Sequence, residues 1–527
     1  MDSSSQKEQT LQNQQLTFLC TIENLHLHQK FPGRVIQDDA GSLQTLNRAR
    51  KWLISCQETH PLCRLDEMEL PTRVLDVNSR CADGIVRLLD SRLACANYAT
   101  LSYCWGTVGN LKSTAETIQL HRSGIKTHTL PKTIRDAVAI TQYFGLRYLW
   151  VDSLCIIQDD PQDWDREAQN MAKVYANAYI NVSALGAVNT SQGCFMRRPA
   201  ERGAVPLEYH HDDGTCSQVF ATISDIGANE TELSGYPAST RAWTLQERIL
   251  ARRTLHFGPG QMFFECAWGF RSEDGYMEPK KDRGATVSQS AFQEVQTNIK
   301  DMADTQLSGR EGWSRLVTMY SQRQMAKQSD KLPAFSGLAQ RYESILKDVY
   351  VAGLWKSQLI KDLHWYAESW YIFPYYRAPS WSWMSIDGPI FMWNSKDIES
   401  AHICARVLDC HVELKGQNPY GELTGGWLKI EAPLAEVKDS QIFGYEPGKA
   451  LLRVFGELPE EYFDKLQIFT LFLRVRGDMP RTALLITPMD YRIPGEGQCY
   501  RRIGIAINLE RYKIRCEIPN KAVVTLV

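Results

Sequence analysis

The stretch from Leu146 to Ala184, LRYLWVDSLCIIQDDPQDWDREAQNMAKVYANAYINVSA, limits the possible folds more than any other part of the chain. Tyr148 to Ile157 is an apolar, aromatic and β-branched run broken by Asp152 and Cys155; it reads as a core strand and is too polar to span a membrane. Asp160-Pro161 then marks a helix start, with Asp160 as N-cap, Pro161 at the first helical position and Asp163 three residues past the cap. Trp164, Ala168, Met171 and Tyr175 follow at spacings of four, three and four, which is one face of an α-helix. Glu167 falls on or beside that face, where a carboxylate is costly unless it is paired or used. Strand, acidic turn and helix together bring Asp152, Cys155 and Glu167 within reach of one pocket.

The neighbouring segments extend the pattern. Tyr98 to Gly106, YATLSYCWG, reads as a strand stopped by glycine, followed by a loop at Thr107 to Asn110 with too few glycines to cradle a phosphate. Leu130-Pro131 opens a helix with Ile134, Ala137, Val138, Ile140 and Thr141 on its inner side and Gly145 at its end. A further strand runs from Tyr179 to Ala184. Strand, helix, strand, helix, strand predicts an α/β core on a mostly parallel sheet flanked by helices. Around it the chain divides into a Ser- and Gln-rich disordered tail (1–15), an N-terminal helix with short strands (16–97), the core (98–270), a charged loop or insertion (271–310), a helical Trp-rich segment (311–395) and a C-terminal β-rich domain (396–527). Thr72 to Val77 and Gly84 to Leu89 read as short strands, and Asp213-Gly214 as a hairpin turn whose neighbours His210, His211 and Asp212 belong to a solvated tip.

Composition narrows the partners. A formal charge of −2 without a long basic stripe argues against nucleic acid and anionic membrane surfaces. Fourteen scattered cysteines in a chain of 527 residues read as reduced thiols of a cytoplasmic protein, and no apolar run has bilayer-spanning length. Cys56, His60 and Cys63 lie close together, and Cys81 could supply a fourth ligand, but the spacing is not a standard paired-cysteine zinc pattern; they are read as buried thiols beside a helix end, with no metal assigned. Thr240 to Ala251, TRAWTLQERILA, reads as a short helix capped by Thr240 or Ser239 that displays Arg241, Gln246 and Glu247, and these form a polar network with Asp152.

Three blocks, YATLSYCWG, LPKTIRDAVAITQYFGLRYLWVDSLCIIQDDPQDWDREAQNMAKVYANAYINVSA and RAWTLQERILARRTLHFG, resemble the fungal heterokaryon incompatibility (HET) domain in order and spacing. WLISC-x-x-x-H-x-x-C upstream and DKLPAFSGLAQRY, AGLWKSQL and APSWSWMSIDGPI downstream resemble the wider architecture of such proteins, so the resemblance covers about residues 48–392. The resemblance implies a TIR/flavodoxin-like core and a role in non-self recognition and programmed cell death, with self-association or a protein partner. In some TIR members it implies cleavage of NAD, which makes NAD a possible substrate; no cofactor is assigned. By analogy of position, the helix glutamate of that chemistry maps near Glu167.

Three functions fit these residues. In the first, Glu167 engages the ribose of NAD, and Trp105 or Trp164 stacks on a ring of the ligand, with Tyr103, Arg241, Gln246 and Glu247 lining the site; the structural alternative pairs Glu167 with Arg241 or Arg248. In the second, a small-molecule enzyme of fungal secondary metabolism uses Cys155 as nucleophile and His256 as its base, against a plain buried thiol. In the third, the chain is a non-enzymatic oligomerising scaffold that docks partners through its Trp-rich segment, although aromatic-rich stretches more often form core.

Overall fold

Residues 98–257 alternate buried strands with amphipathic helices, and the computed structural model shows what the alternation builds. It describes residues 14–20, 27, 30–31, 33–64, 66–80, 84–92, 94–198, 205–225, 233, 235–276, 306–367, 371–372, 375–392, 402–437, 452–454, 467–476, 479–490, 493, 497–507 and 519–527. They fall into two units, Met1–Ala303 and Asp304–Val527.

In the first unit, β1 (Gln14–Cys20) and β2 (Gly33–Arg34) lead to helix α1 (Leu43–Thr59) and strands β3 (Arg73–Arg80), β4 (Ile85–Asp90) and β5 (Tyr98–Ser102). A short strand β6 (Ile125–Lys126) and helix α2 (Lys132–Tyr143) precede β7 (Tyr148–Trp150), the one-turn helix α3 (Asp152–Cys155), helix α4 (Pro161–Ala176) and β8 (Ile180–Ser183). The hairpin of β9 (Val205–His210) and β10 (Cys216–Asp225) follows, then helix α5 (Ala242–Leu250) and strands β11 (Arg253–Phe257), β12 (Met262–Cys266) and β13 (Gly269–Ser272).

Among the described residues, nine strands form one sheet in the order β13-β12-β11-β8-β5-β7-β3-β4-β6. The four central strands β11, β8, β5 and β7 are parallel. Their outer neighbours pair antiparallel. The sheet is therefore mixed, and the mostly parallel arrangement expected from the sequence holds only at its centre. Parallel neighbours need a long crossover, and the segments between residues 98 and 253 supply them; the tight turns joining β11, β12 and β13 allow only antiparallel pairing. Counted in chain order, the central four lie second, first, third, fourth across the sheet. Ala99, Leu101, Leu149, Trp150, Ile180, Val182, Leu255 and Phe257 are at most 1% exposed, so this centre is covered on both faces.

The run from Tyr148 to Ile157, expected as one strand, is a strand only to Trp150. The Asp152 carboxylate accepts the Ser153 N–H at 2.7 Å, and the chain turns there into α3. A short acidic side chain that bonds its neighbouring backbone competes with strand pairing. Helix α4 starts as the sequence predicts: Asp160 Oδ1 accepts the N–H groups of Gln162 and Asp163 at 2.9 and 3.2 Å. Its buried face carries Glu167, Ala168, Met171, Val174 and Tyr175. Helix α2 packs on β3, β5 and β7, and α4 packs against α5.

Other expectations shift in detail. Gln14 and Gln15, placed in a disordered tail, pair with Asp225 and Ser224 in the β1–β10 ladder, while residues 1–13 lie outside the described residues. The helix expected from Thr240 starts at Ala242, because Arg241 is extended and the preceding turn Pro237–Thr240 is separate. The hairpin at Asp213-Gly214 is present, with Gly214 at φ 80°. β5 ends at Ser102, four residues before the glycine expected to stop it; Gly106, in the loop that follows, has φ 74°, and a Cβ there would lie 2.5 Å from Asn189 Cβ, so both conformation and space require glycine.

In the second unit, helices α6 (Gln306–Ser321) and α7 (Pro333–Leu346) pack together. Trp313 meets Trp355 and Tyr342 with ring centroids 4.9 and 5.3 Å apart. Trp313, Trp355, Trp365, Trp381 and Trp383 are all buried, so these tryptophans form core and not a docking surface; Trp370 and Trp393 lie outside the described residues. Past α7 the segment forms mainly short strands and turns, and, among the described residues, a sheet of eight strands spanning His402–Ile403 to Lys521–Leu526 closes the β-rich end. Residues 277–305, most of the expected charged insertion, are outside the described residues. No helix among the described residues is long and apolar enough to cross a membrane.

The Asp160 cap sets where α4 begins. Asp160→Ala is expected to lower stability by about 1 kcal/mol in denaturant unfolding; an unchanged midpoint would show that Pro161 and the packing of α4 fix the start without the cap.

Candidate functional site

The parallel strands end together. Ser102 of β5 lies beside Ser183 of β8, which lies beside His256 of β11. On the other side Thr100 pairs with Trp150, so Asp152, two residues on, leaves the sheet at the level of Ser102. Strand β5 is also where the order reverses, since the chain goes first to β7 on one side and then to β8 on the other. The crevice outside the carboxyl ends of strands at such a reversal is the preferred ligand position in open α/β sheets.

Side-chain alternation builds the floor of this crevice. Tyr98, Thr100 and Ser102 share one face of β5. The Tyr98 hydroxyl donates to the Val174 carbonyl of α4 at 2.6 Å, which places that face under α4. Thr100 and Ser102 hydroxyls both donate to Asn181 Oδ1 at 3.1 Å. Helix α5, which packs on β5 and α4, carries Glu247 over the Ser102 end of this strip. Glu247 is buried, its carboxylate lies against the Ser102 and Tyr175 hydroxyls, and its Oε2 has no hydrogen-bond partner among the described residues.

The rim comes from the turns after β5 and β7. Trp105 Nε1 donates to Asp152 Oδ2 at 2.8 Å, and the Tyr103 hydroxyl donates to Ser153 Oγ at 2.9 Å. Arg241, just before α5, donates to the Tyr103 carbonyl and faces both Asp152 and Glu247. Lys112 lies over the Trp105 ring, 5.1 Å from its centroid. Trp105, Asp152 and Arg241 are half-buried, as are Trp164 and Trp243, whose rings meet edge to face at 6.3 Å. The site is thus a polar cluster at the strand ends, with the Glu247 carboxylate buried at its base and Arg241, Lys112 and the Trp105 ring along its rim.

Burial pushes the Glu247 carboxyl up to about 7; the Ser102 hydroxyl and Arg241 pull it down, and the neighbouring Asp152 charge pushes it up. Burial also raises the Asp152 carboxyl, opposed by Arg241 and the Trp105 N–H. Burial holds the Tyr103 and Tyr175 phenols well above their ordinary value, so both remain neutral hydroxyls. Two adjacent carboxyls under one guanidinium, one of them titrating near neutrality, can hold a proton and stabilise positive charge in the same cleft.

The structure brings together Tyr103, Trp105, Asp152, Arg241 and Glu247 from the sequence-predicted set. Gln246 is fully buried on α5 beside Glu247. Ser102, Tyr175, Asn181 and Lys112 belong to the site and were not anticipated. The alternating polar positions of YATLS were the available signal for Ser102, whereas nothing local marks Asn181.

Glu167 belongs to a different set of contacts. Its Oε1 lies 3.6 Å from Arg73 Nη2 and 3.5 Å from Arg166 Nε, and Thr72 and Asp163 complete its charged and polar surroundings. Its ion-pair partners are therefore Arg73 and Arg166, although this oxygen, like Glu247 Oε2, accepts no hydrogen bond among the described residues. Of the two arginines expected for that role, Arg241 joins the cleft and Arg248 pairs with Glu265 at 2.7 Å. Cys155 is buried, its Sγ accepts the Val151 N–H at 3.5 Å, and burial pushes its thiol up to about 12. His256 Nε2 is held by Glu265 at 3.0 Å on β11, three strand spacings from β7, or about 14 Å. Cys155 and His256 do not form a nucleophile–base pair.

Residues 98–247 match the model of a family described as heterokaryon incompatibility protein (HET). The match starts at the first residue of β5 and ends at Glu247, so it contains the central reversal and every residue of the cleft. No curated protein and no solved structure matches the chain.

The raised Glu247 carboxyl has a signature in stability. Below about pH 4.5 the carboxyl is protonated folded and unfolded alike; between about 4.5 and 7 the unfolded chain loses the proton and the folded chain keeps it, so stability falls as pH rises through that window. At 1.36 kcal/mol per pKa unit the full cost above pH 7 is on the order of 3 kcal/mol. Glu247→Gln is expected to gain stability over the wild type progressively from pH 4.5 to 7. Denaturant unfolding at several pH values checks this, and a pH-independent difference would mean that Glu247 titrates like an exposed carboxylate.

Proposed function

We propose, from the HET domain that the chain carries over residues 98–247, that this protein acts in heterokaryon incompatibility-type signalling and that its cleft binds and cleaves a nucleotide of NAD type. The observation that carries the second part is Glu247, a buried carboxylate with a free oxygen among the described residues, beside Asp152 and Arg241 at the point where strand order reverses. The order second, first, third, fourth is that of a flavodoxin-like sheet, which supports the TIR-like reading of the core.

Each part of the cleft suits one part of such a ligand. Arg241 and Lys112 supply positive charge for a pyrophosphate. The half-buried Trp105 offers a ring for a base to stack on. Inside, ionised Glu247 or Asp152 stabilises the positive charge that grows on the ribose as its bond to nicotinamide breaks. The bonding pair leaves with nicotinamide, a water oxygen bonds to the ribose carbon, and the water's proton passes to a carboxylate and then to solvent. In this reading the working carboxylate is Glu247, and Glu167, held by Arg73 and Arg166, keeps the fold.

The test follows nicotinamide release by chromatography from concentrated purified protein with NAD. Glu247→Gln is expected to lower release by at least about 100-fold, while Glu167→Gln, if folded, retains it. Loss only in Glu167→Gln would return the chemistry to α4. No release from folded, assembled wild type would leave a non-enzymatic scaffold as the reading of the domain.

A further inference from the structure

A second cluster of reactive side chains lies outside the family match. Cys56 sits in the last turn of α1, His60 caps that helix, and Cys63 ends the 3-10 turn Pro61–Cys63 that follows directly. Backbone bonds fix the three: the His60 N–H donates to the Cys56 carbonyl at 3.1 Å and the Cys63 N–H to the His60 carbonyl at 3.0 Å. The fourth member, Cys266, comes from the end of β12, 206 residues from His60, and its Sγ lies 3.5 Å from His60 Nδ1. The ligand atoms of all four lie within 4.8 Å of one another, and all four residues are buried.

We propose that Cys56, His60, Cys63 and Cys266 form a structural zinc site. Three sulfurs and one imidazole nitrogen are a Cys3His donor set, and tetrahedral zinc with bonds of about 2.0–2.3 Å places its ligand atoms roughly 3.3–3.8 Å apart; Cys266 Sγ and His60 Nδ1 are already 3.5 Å apart, and the other pairs lie within 4.8 Å. All four positions are filled by protein and shielded from water, which is the arrangement of a structural and not a catalytic site.

The surroundings point to a negatively charged centre. Arg253 is fully buried, yet its guanidinium donates only to neutral groups: the Tyr179 carbonyl at 2.9 Å, Gln57 Oε1 and the Cys63 carbonyl. No carboxylate pairs with it among the described residues. A buried guanidinium without an anion is costly. Zinc with three thiolates and a neutral imidazole carries a net charge of −1, and Arg253, next to Cys56 and His60, is placed to balance it. The bond from Arg253 to the Cys63 carbonyl also holds that ligand's backbone, a supporting contact typical of metal sites. Trp268 stacks on the His60 ring at 5.2 Å and 17°, fixing the plane in which Nδ1 faces the sulfurs.

The sequence places three of these ligands together but offers Cys81 as the fourth; Cys81 lies outside the described residues, and the fold supplies Cys266. The centre joins α1 and its 3-10 turn to the β12 end of the sheet, beside the Trp52–Phe264 ring contact and the bonds of Arg253 to Gln57 and Cys63.

The experiment is metal analysis of the full chain purified without added metal. About one zinc per chain is expected, released when a mercurial blocks the thiols. Cys56→Ser and Cys266→Ser are expected to lose it, while Cys216→Ser, at an exposed hairpin position, and Cys81→Ser keep it. Should the ligand variants fail to fold, the wild type decides: a strong chelator is expected to lower its unfolding temperature, and cobalt substitution to give the intense visible bands of tetrahedral thiolate coordination. Wild-type protein without metal, a disulfide among Cys56, Cys63 and Cys266 in the mass of the purified chain, or zinc lost on Cys81→Ser but kept on Cys266→Ser would each overturn the proposal.

Discussion

The geometry of the cleft depends on Arg73. From β3 its Nε donates to the Cys155 carbonyl at 2.6 Å, and its Nη2 reaches Asp163 and lies 3.6 Å from Glu167. One guanidinium thus holds the end of α3 and the first turns of α4 against the sheet. Asp163 returns the contact, since its Oδ2 also accepts the Ile157 N–H at 2.8 Å and its Oδ1 meets Arg166. Two buried carboxylates are matched by two guanidiniums. Such a group adds little net stability over apolar packing, but loss of one member leaves a buried charge and costs about 3–5 kcal/mol. These bonds tie down the turn after β7, which presents Asp152 at the level of Ser102.

The two acidic residues of the α4–α5 pair illustrate how surroundings assign roles. Glu167 and Glu247 are both buried, and burial raises both. Glu167 lies 3.5–3.6 Å from two guanidiniums, and Thr72 also stabilises its charge. Glu247 faces one guanidinium, which it shares with Asp152, and two hydroxyls. A carboxylate whose charge is already balanced resists approach by a developing cation. One that shares a counter-ion and titrates near neutrality is suited to receive it. The difference lies in which strands and helices surround each residue, not in the residues themselves.

Much of the fold was legible in the sequence because its signals are local. Asp160-Pro161, the helical spacing behind it and the alternation of strand and helix between Tyr98 and Ala184 each act within a few residues. The polar network of Asp152, Arg241 and Glu247 was also legible, because a charge inside an apolar pattern is conspicuous. Three features were not. The end of β7 at Trp150 depends on a bond from Asp152 to the next backbone N–H, which competes with strand propensity in an otherwise β-rich run. The antiparallel flanks follow from which edges the hairpins meet. The partners of Glu167 were sought on α5, yet Arg73 comes from a strand some ninety residues earlier in the chain, a distance no local pattern spans.

The cysteine–histidine cluster and the cleft are linked through one hairpin. Cys266 is preceded by Glu265, and successive residues of a strand face opposite sides. Burial alone would raise the Glu265 carboxyl, but Arg248 and His256 bring it down to about 2, so it stays ionised. Arg248 grips it with two bonds, 2.7 and 3.1 Å, and Arg248 follows Glu247 on α5. The path therefore runs from the cluster through Cys266 and Glu265 to Arg248 and the helix that carries Glu247. Each link is buried, and the Glu265–Arg248 link is a two-bond ion pair whose geometry allows little play. A centre that fixes the end of β12 also fixes the register in which β12 holds α5. Glu247 would then keep its position over Ser102 by virtue of a site far from it in the sheet, and disturbance of the cluster would reach the cleft as a shift of α5 and not as unfolding of the parallel centre.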